Sequence, residues 1–293
     1  MESLDSLKNL SIISQYIGNR ISDVQGGGGN TSVKYKNFMA VKASGYSLKD
    51  LTHKSGYAVL DNNAFIQFLL EDNLDHNDFD KKLSDFLVSS KYKKPSMEAG
   101  LHSILKYEYV AHTHSAYVNI FTCAKEGRGI LNKAFPDSLW VDYATPGLDL
   151  FNQVNSSLKV QKDCPKLVFL QNHGVFICSN DHKDLIKINN QLNNYLIEKY
   201  NLKKIIINKN ILKNISKNIS DNLLFPDQAV YLDNIHNSSN MVPSNAAIET
   251  MCVVEYIISS IGSLGLKPNY LSQDEKNKLL NLESEKYRKK LEK

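Results

Sequence analysis

The sequence is poor in cysteine, in charge of one sign and in long apolar runs, and each shortage removes a class of protein. Its four cysteines, Cys123, Cys164, Cys178 and Cys252, lie far apart and form no Cys-x-x-Cys pair, so nothing suggests a disulfide framework or an oxidising compartment. Cys123 and Cys178 sit in apolar surroundings and read as core residues. Basic residues number 35 against 31 acidic ones, and the net charge of +4 is too mild to imply a nucleic-acid partner. The densest basic run, Lys286 to Lys290, closes a predicted helix, where cations are favoured and solvated. No apolar run reaches the length expected of a membrane span. The opening Met-Glu-Ser-Leu-Asp-Ser lacks the basic and apolar regions of a secretion signal. The expected location is therefore the cytoplasm, and Asn-x-Ser triplets such as Asn218-Ile-Ser220 reflect composition rather than glycosylation.

With 42% hydrophobic and 23% charged residues, the chain can bury a sizeable core and reads as globular. Leu4, Leu7, Leu10, Ile13 and Tyr16 recur at helical spacing, so a helix opens the chain over 3–18. Gly26–Gly29 breaks it. Short strands follow at 30–35, 38–42 and 57–60, then helices at 61–71, 78–89 and from Ser96 to about Lys106. Tyr109–His114 is rich in β-formers, residues 115–123 read as helix, and 140–144 as strand. A helix over 148–159 precedes a strand pair at 167–171 and 175–178, turned at Asn172-His-Gly174. A long helix runs from Lys183 to about Leu202. Residues 203–221 lack periodicity, Phe225–Tyr231 reads as a turn plus strand, and 246–263 and 274–292 read as helices. Residues 1–202 are thus the expected catalytic core and 203–293 a mostly helical extension packed on it. Strands and helices mix without a βαβ rhythm, which predicts an α+β type of α/β fold: a mainly antiparallel sheet covered by helices on both faces.

His112 and His114 carry most of the functional signal. Two residues apart on an extended strand, they share a face and can offer two nitrogens to one metal ion. His173 ends another apolar strand at a sharp turn, where sites are commonly built. Three imidazoles with one open position is the pattern of a catalytic zinc. Glu98 opens the helix upstream, where a negative charge is favoured, and could serve as ligand or general base. His102, four residues on, shares its helix face and could support it through a hydrogen bond. Gly26–Gly29 followed by Asn30-Thr-Ser has neither the P-loop lysine nor a dinucleotide fingerprint. Its bare amides and small polar side chains nonetheless suit an anion. The turn Ala43-Ser-Gly-Tyr46 and the hydroxyl and amide of Ser96 at a helix start add to that reading.

Gly28-Gly-Asn-Thr-Ser-Val-Lys34, Lys42-Ala-Ser-Gly45, Pro95-Ser-Met-Glu98, His112-Thr-His114 and Asn172-His-Gly174 together resemble, in order and spacing, the motifs of the class II aldolase/adducin family over about residues 10–200. The glycine run, Lys-Ala-Ser-Gly-Tyr-Ser-Leu and the Glu-Lys-Tyr-Arg tail are most similar to the aldolase part of rhamnulose-1-phosphate aldolase-like bifunctional proteins, with no dehydrogenase half expected here. The resemblance implies a three-layer class II aldolase-like fold and Zn²⁺ on His112, His114 and His173, with Mn²⁺ or Co²⁺ as substitutes. It implies Glu98 as acid/base or resting ligand; a pKa near neutrality would suit the first role, and an apolar pocket could supply that shift. Gly29, Asn30, Ser44, Gly45 and Ser96 would hold a sugar phosphate, and neighbouring subunits of a homotetramer would form the sites. The activity implied is cleavage or formation of a carbon–carbon bond in a phosphorylated ketose through a metal-stabilised enediolate. Epimerase, decarboxylase and dehydratase chemistry use the same site, and a non-catalytic adducin-like interaction module is the rival of another class. Two departures stand out. Met97 replaces a second phosphate-binding Ser, and the family's catalytic tyrosine has no alignable motif, leaving Tyr143 and Tyr117 as candidates. Lys42 as a Schiff-base nucleophile is disfavoured, because a metal makes an iminium unnecessary.

Overall fold

The computed structural model describes residues 2–71, 74, 79, 81–89, 91–208, 222–232 and 244–281. Seven strands form one sheet: β1 (Asn30–Tyr35), β2 (Phe38–Lys42), β3 (Tyr57–Asp61), β4 (Tyr109–Thr113), β5 (Leu139–Val141), β6 (Leu167–Leu170) and β7 (Gly174–Ser179). Their order is β3-β2-β1-β4-β7-β6-β5. Every pairing is antiparallel except β5 with β6. The sheet is therefore mixed, mainly antiparallel as expected, with one parallel edge.

Alternation along the strands sends residues to two separate cores. Tyr109, Ala111, Val175 and Ile177 face one side, with Leu10, Ile13 and Ile17 of α1 (Glu2–Gly18), Val118 and Phe121 of α4 (Ala116–Thr122), and Leu185, Leu192 and Leu196 of α7 (His182–Tyr200). Val110, Phe176 and Cys178 face the other, with Phe65 and Leu69 of α2 (Asn62–Leu69), Leu101 of α3 (Ala99–Ile104), and Phe151 and Val154 of α6 (Leu148–Lys159). The remaining helices are α5 (Gly127–Ala134), α8 (Pro226–Leu232), α9 (Asn245–Ser263) and α10 (Gln273–Asn281).

Local chemistry sets the element ends. Asp61 caps α2 by accepting from the amides of Asn63 and Ala64, both at 3.1 Å. Asp181 caps α7 on the Asp184 amide, and Asn201 ends it in the left-handed region at φ 49°. Several expectations need correction. Phe225–Tyr231 is no strand: Pro226, acceptable in the first turn of a helix, opens α8. Gln228 reaches back to accept from the Leu224 amide at 2.9 Å, and burial of Phe225, Ala229 and Tyr231 overrides the β propensity of Val230 and Tyr231. The helix expected from Ser96 begins only at Ala99, with Glu98 at its N-cap. Of the helix expected over 78–89, Phe79, Lys81 and Lys82 are helical, Leu83–Phe86 are turn and Leu87 bridges Leu60, while positions 78 and 80 lie outside the described residues. The helix expected over 274–292 is described only as far as Asn281. Helix α9 is, by length and composition, apolar enough to cross a membrane, contrary to the expectation that no segment is. Here Val253, Val254, Ile257 and Ile261 are buried in the core shared with α1, α4 and α7.

Candidate metal centre

Strand register assembles the site. Asn30 on β1 is the Cα partner of His112 on β4, which is in turn the partner of Phe176 on β7. Three side chains thus stand in a row across the middle of the sheet, on the face covered by α3. His112 stacks on Phe176 with ring centroids 4.4 Å apart. His114, two residues on, keeps the same side beyond the strand end. His173 arrives through the β6–β7 turn, where Asn172 is left-handed at φ 54° and Gly174 lets β7 pass close to β4.

The three Nε2 atoms converge. His112 Nε2 is 3.0 Å from that of His114 and 3.4 Å from that of His173, and all three donor atoms lie within 4.8 Å of one another. Such an approach requires a shared proton or a cation between the nitrogens. The far side of two rings is fixed. His112 Nδ1 donates to the Val175 carbonyl at 3.2 Å, and His114 Nδ1 to the Asp227 carboxylate. Both acceptors hold the proton on Nδ1, which leaves the Nε2 lone pairs facing the cluster. Glu98 Oε1 lies 3.7 Å from His112 Nε2 and 3.5 Å from His173 Nε2, and makes no hydrogen bond among the described residues. Three imidazole nitrogens and an orphaned buried carboxylate oxygen fit a divalent cation.

Electrostatics support that protonation. Burial, opposed by Glu98, holds His112 down at about 4 and His173 at about 3, so both are neutral at physiological pH. Burial opposes ionisation of Glu98. The nearby His112 and His173 and the hydrogen bond from Asn30 Nδ2 at 2.6 Å outweigh it and keep the carboxyl below its usual range. The raised pKa that burial alone would give Glu98 is therefore opposed by its polar neighbours. His102 supports Glu98 at one remove, bonding Asn30 Oδ1 through Nε2 and Ser32 Oγ through Nδ1, the latter at 2.7 Å.

Beside the cluster opens a cleft lined by Gly29, Asn30, Lys42, Ser44, Gly45, Ser96, Met97, Glu98, His114, Pro146, His173 and Asp227, among others. The five anion-site residues expected from sequence therefore meet here. An Ala43–Pro95 bridge sets the Ser44 and Ser96 turns side by side. The Ser96 amide is spent on the Lys42 carbonyl at 3.0 Å, so Ser96 offers its hydroxyl only. The glycine loop also differs from expectation. The Gly26 amide donates to Glu249, the Gly27 amide to the Tyr231 hydroxyl, both at 2.9 Å, and the Gly28 amide to the Gln25 carbonyl. The first two amides seat the C-terminal helices and the third closes the loop on itself. Tyr143 does not join the cleft; it lines a separate groove with Asp149, Glu275 and Lys278, and burial raises the pKa of its hydroxyl. Tyr117 is buried on α4 against Tyr256. Sequence reasoning missed Asp227, whose neighbours carry no metal motif, and the place of Lys42 in the cleft wall.

The domain described as Class II Aldolase and Adducin N-terminal domain matches residues 19–195. That span holds more than half the chain and every motif from the glycine loop to His173, so the chain belongs to the class II aldolase/adducin family. YuxG of Bacillus subtilis (strain 168), an uncharacterized oxidoreductase, is 30% identical over 174 residues, which cover 55% of this chain. The match takes in only 25% of that relative, so this chain spans about a quarter of its length. Among solved structures, the N-terminal class II aldolase domain of a conserved protein from Thermoplasma acidophilum aligns with a TM-score of 0.59 at 21% identity, covering 65% of this chain and 92% of that one. YgbL from Escherichia coli gives 0.52 at 16% identity, covering 71% and 94%. Both likenesses lie in the fold.

Proposed function

We propose that this protein is a zinc-dependent lyase that cleaves or forms a carbon–carbon bond in a phosphorylated ketose. The observation that carries the reading is the convergence of three imidazole Nε2 atoms on an unpartnered Glu98 oxygen at the wall of a polar cleft. Bound there, the ion would be a Lewis acid for the carbonyl and adjacent hydroxyl of the substrate. Three imidazoles suit zinc, with Mn²⁺ or Co²⁺ as substitutes.

The chain's own residues supply the rest. Glu98 is ionised at neutral pH and moves the proton at the carbon that gains charge. Asn30, with Nδ2 on Glu98 and Oδ1 on His102, fixes the direction of that carboxylate. The Ser44 and Ser96 hydroxyls and the Lys42 ammonium hold the phosphate, while Gly29 and Gly45 let it approach the backbone. Lys42 Nζ already donates to the Gly27 carbonyl at 3.0 Å, which places the charge at the cleft wall. Met97 contributes bulk where a hydroxyl would bind, so the phosphate grip rests on the remaining groups. A cytoplasmic homotetramer with its sites between neighbouring subunits completes the reading.

The test is to purify the protein without chelator, measure bound metal, and incubate it with ketose phosphates. An aldehyde plus dihydroxyacetone phosphate is the expected outcome. An isomeric sugar or released CO₂ would replace the lyase reading by an epimerase or decarboxylase one. Absence of stoichiometric metal, with His112→Ala changing nothing, would end the enzyme reading.

A further inference from the structure

We propose that Asp227 is a positioning residue of the metal centre, so that the segment beyond the family domain completes the site. The inference rests on the metal reading above and adds a residue outside the 19–195 match. Asp227 is 1% exposed and stands in the first turn of α8, with a carboxylate oxygen on His114 Nδ1. A carboxylate there fixes the ring plane and the tautomer, and makes the opposite nitrogen a better donor.

The surroundings are shaped around this pair. A Cβ on Gly28 would fall 2.6 Å from Asp227 Oδ2 and 2.9 Å from His114 Nδ1, so the loop leaves room for the two to meet. Helix α8 is pinned from both sides of the site. Tyr231 takes the Gly27 amide, and the Asn172 side chain, next to His173, donates to the Leu224 carbonyl at 2.7 Å. Asn172 also exchanges hydrogen bonds with Asn269, donating to its carbonyl at 2.6 Å and accepting from its amide at 2.8 Å. The glycine loop and the turn that presents His173 are thus tied to Tyr231, Leu224 and Asn269, and among the described residues beyond the family domain Asp227 is bonded to a ligand ring.

The experiment uses the full chain and the metal ions alone. Zinc affinity is measured by competition with a chromophoric chelator for wild type, Asp227→Ala, Asp227→Asn and Tyr231→Phe, alongside the visible spectrum of each Co²⁺-loaded protein. Asp227→Ala should bind zinc about 10–100-fold more weakly. Asp227→Asn keeps an acceptor without the charge, so it should fall between and shift the cobalt bands. Tyr231→Phe loosens the same helix without touching His114 and should leave both readouts as in wild type. If Asp227→Ala does not fold, the near-isosteric Asp227→Asn decides. Asp227 variants that match wild type in affinity and spectrum overturn the proposal, as does an equal loss in Tyr231→Phe, which would mark a merely structural effect. A wild type that takes up no metal overturns the centre itself and this inference with it, which is a separate result.

Discussion

Gly174→Ala tests how the site is built. An added Cβ would lie 2.2 Å from the Thr113 carbonyl oxygen, 3.2 Å from its carbon and 3.3 Å from His112 Cε1. Ordinary contact begins near 3.4 Å, so β7 and β4 must separate by more than an ångström at the point where Val175 pairs with Thr113. The obstacle is backbone, which cannot swing aside as a side chain would. Overpacking costs about 1–3 kcal/mol. Losing one or two ladder hydrogen bonds adds about 1 kcal/mol each. A total near 3 kcal/mol lowers the melting temperature of a chain this size by roughly 6–12 °C. The same movement displaces His173 and His112 together, so metal retention should fall with stability. Calorimetry of the metal-free and zinc-loaded proteins reads both effects. A variant melting within a degree or two of wild type, with full zinc occupancy, would refute the claim that this close approach sets the ligand geometry.

Gly129→Ala is the counterpart: nothing lies within 4 Å of the added Cβ on α5, and the change should stabilise by about 0.5–1 kcal/mol in urea titration. His102→Ala leaves Asn30 Oδ1 and Ser32 without their buried partner, and a loss of about 1–3 kcal/mol in the same assay is expected. Acid should destabilise the metal-free protein. His112 and His173 titrate near 4 and 3 when folded but at 6.5 when unfolded, so the unfolded chain takes up protons first and stability is lost as pH falls below 6.5. Asp23, raised by burial to about 6, works the other way, contributing stability below 3.8 that is lost as pH rises through 6. Two groups outweigh one, and a urea midpoint that holds constant or rises between pH 7.5 and 5 would contradict the assignment.

What the sequence made legible was local. Period-two strands, the shared face of His112 and His114, and the turn at Asn172-His-Gly174 all follow from neighbours in the chain. The partners of the glycine loop did not: its amides bond residues 204 and 223 positions away, so the loop read as an anion nest. Asp227 escaped for the same reason, lying 113 positions from His114. The strand expected at Val230-Tyr231 failed because burial of one face of α8, not propensity, chose the conformation. Strand register, which sets Asn30 beside His112, depends on which strands pair and has no signature in either segment alone.

The place of β4 has a kinetic consequence. It is the middle strand of seven, bonded on both edges by β1 and β7. Its amides can exchange with solvent only when the sheet parts, an event that costs close to the global unfolding free energy. His112 is therefore set before any ion arrives, while His114 and His173 lie just past the strand ends, in loops. An ion taken up by the cluster would then enter and leave past these two, with His112 as the fixed point of the site.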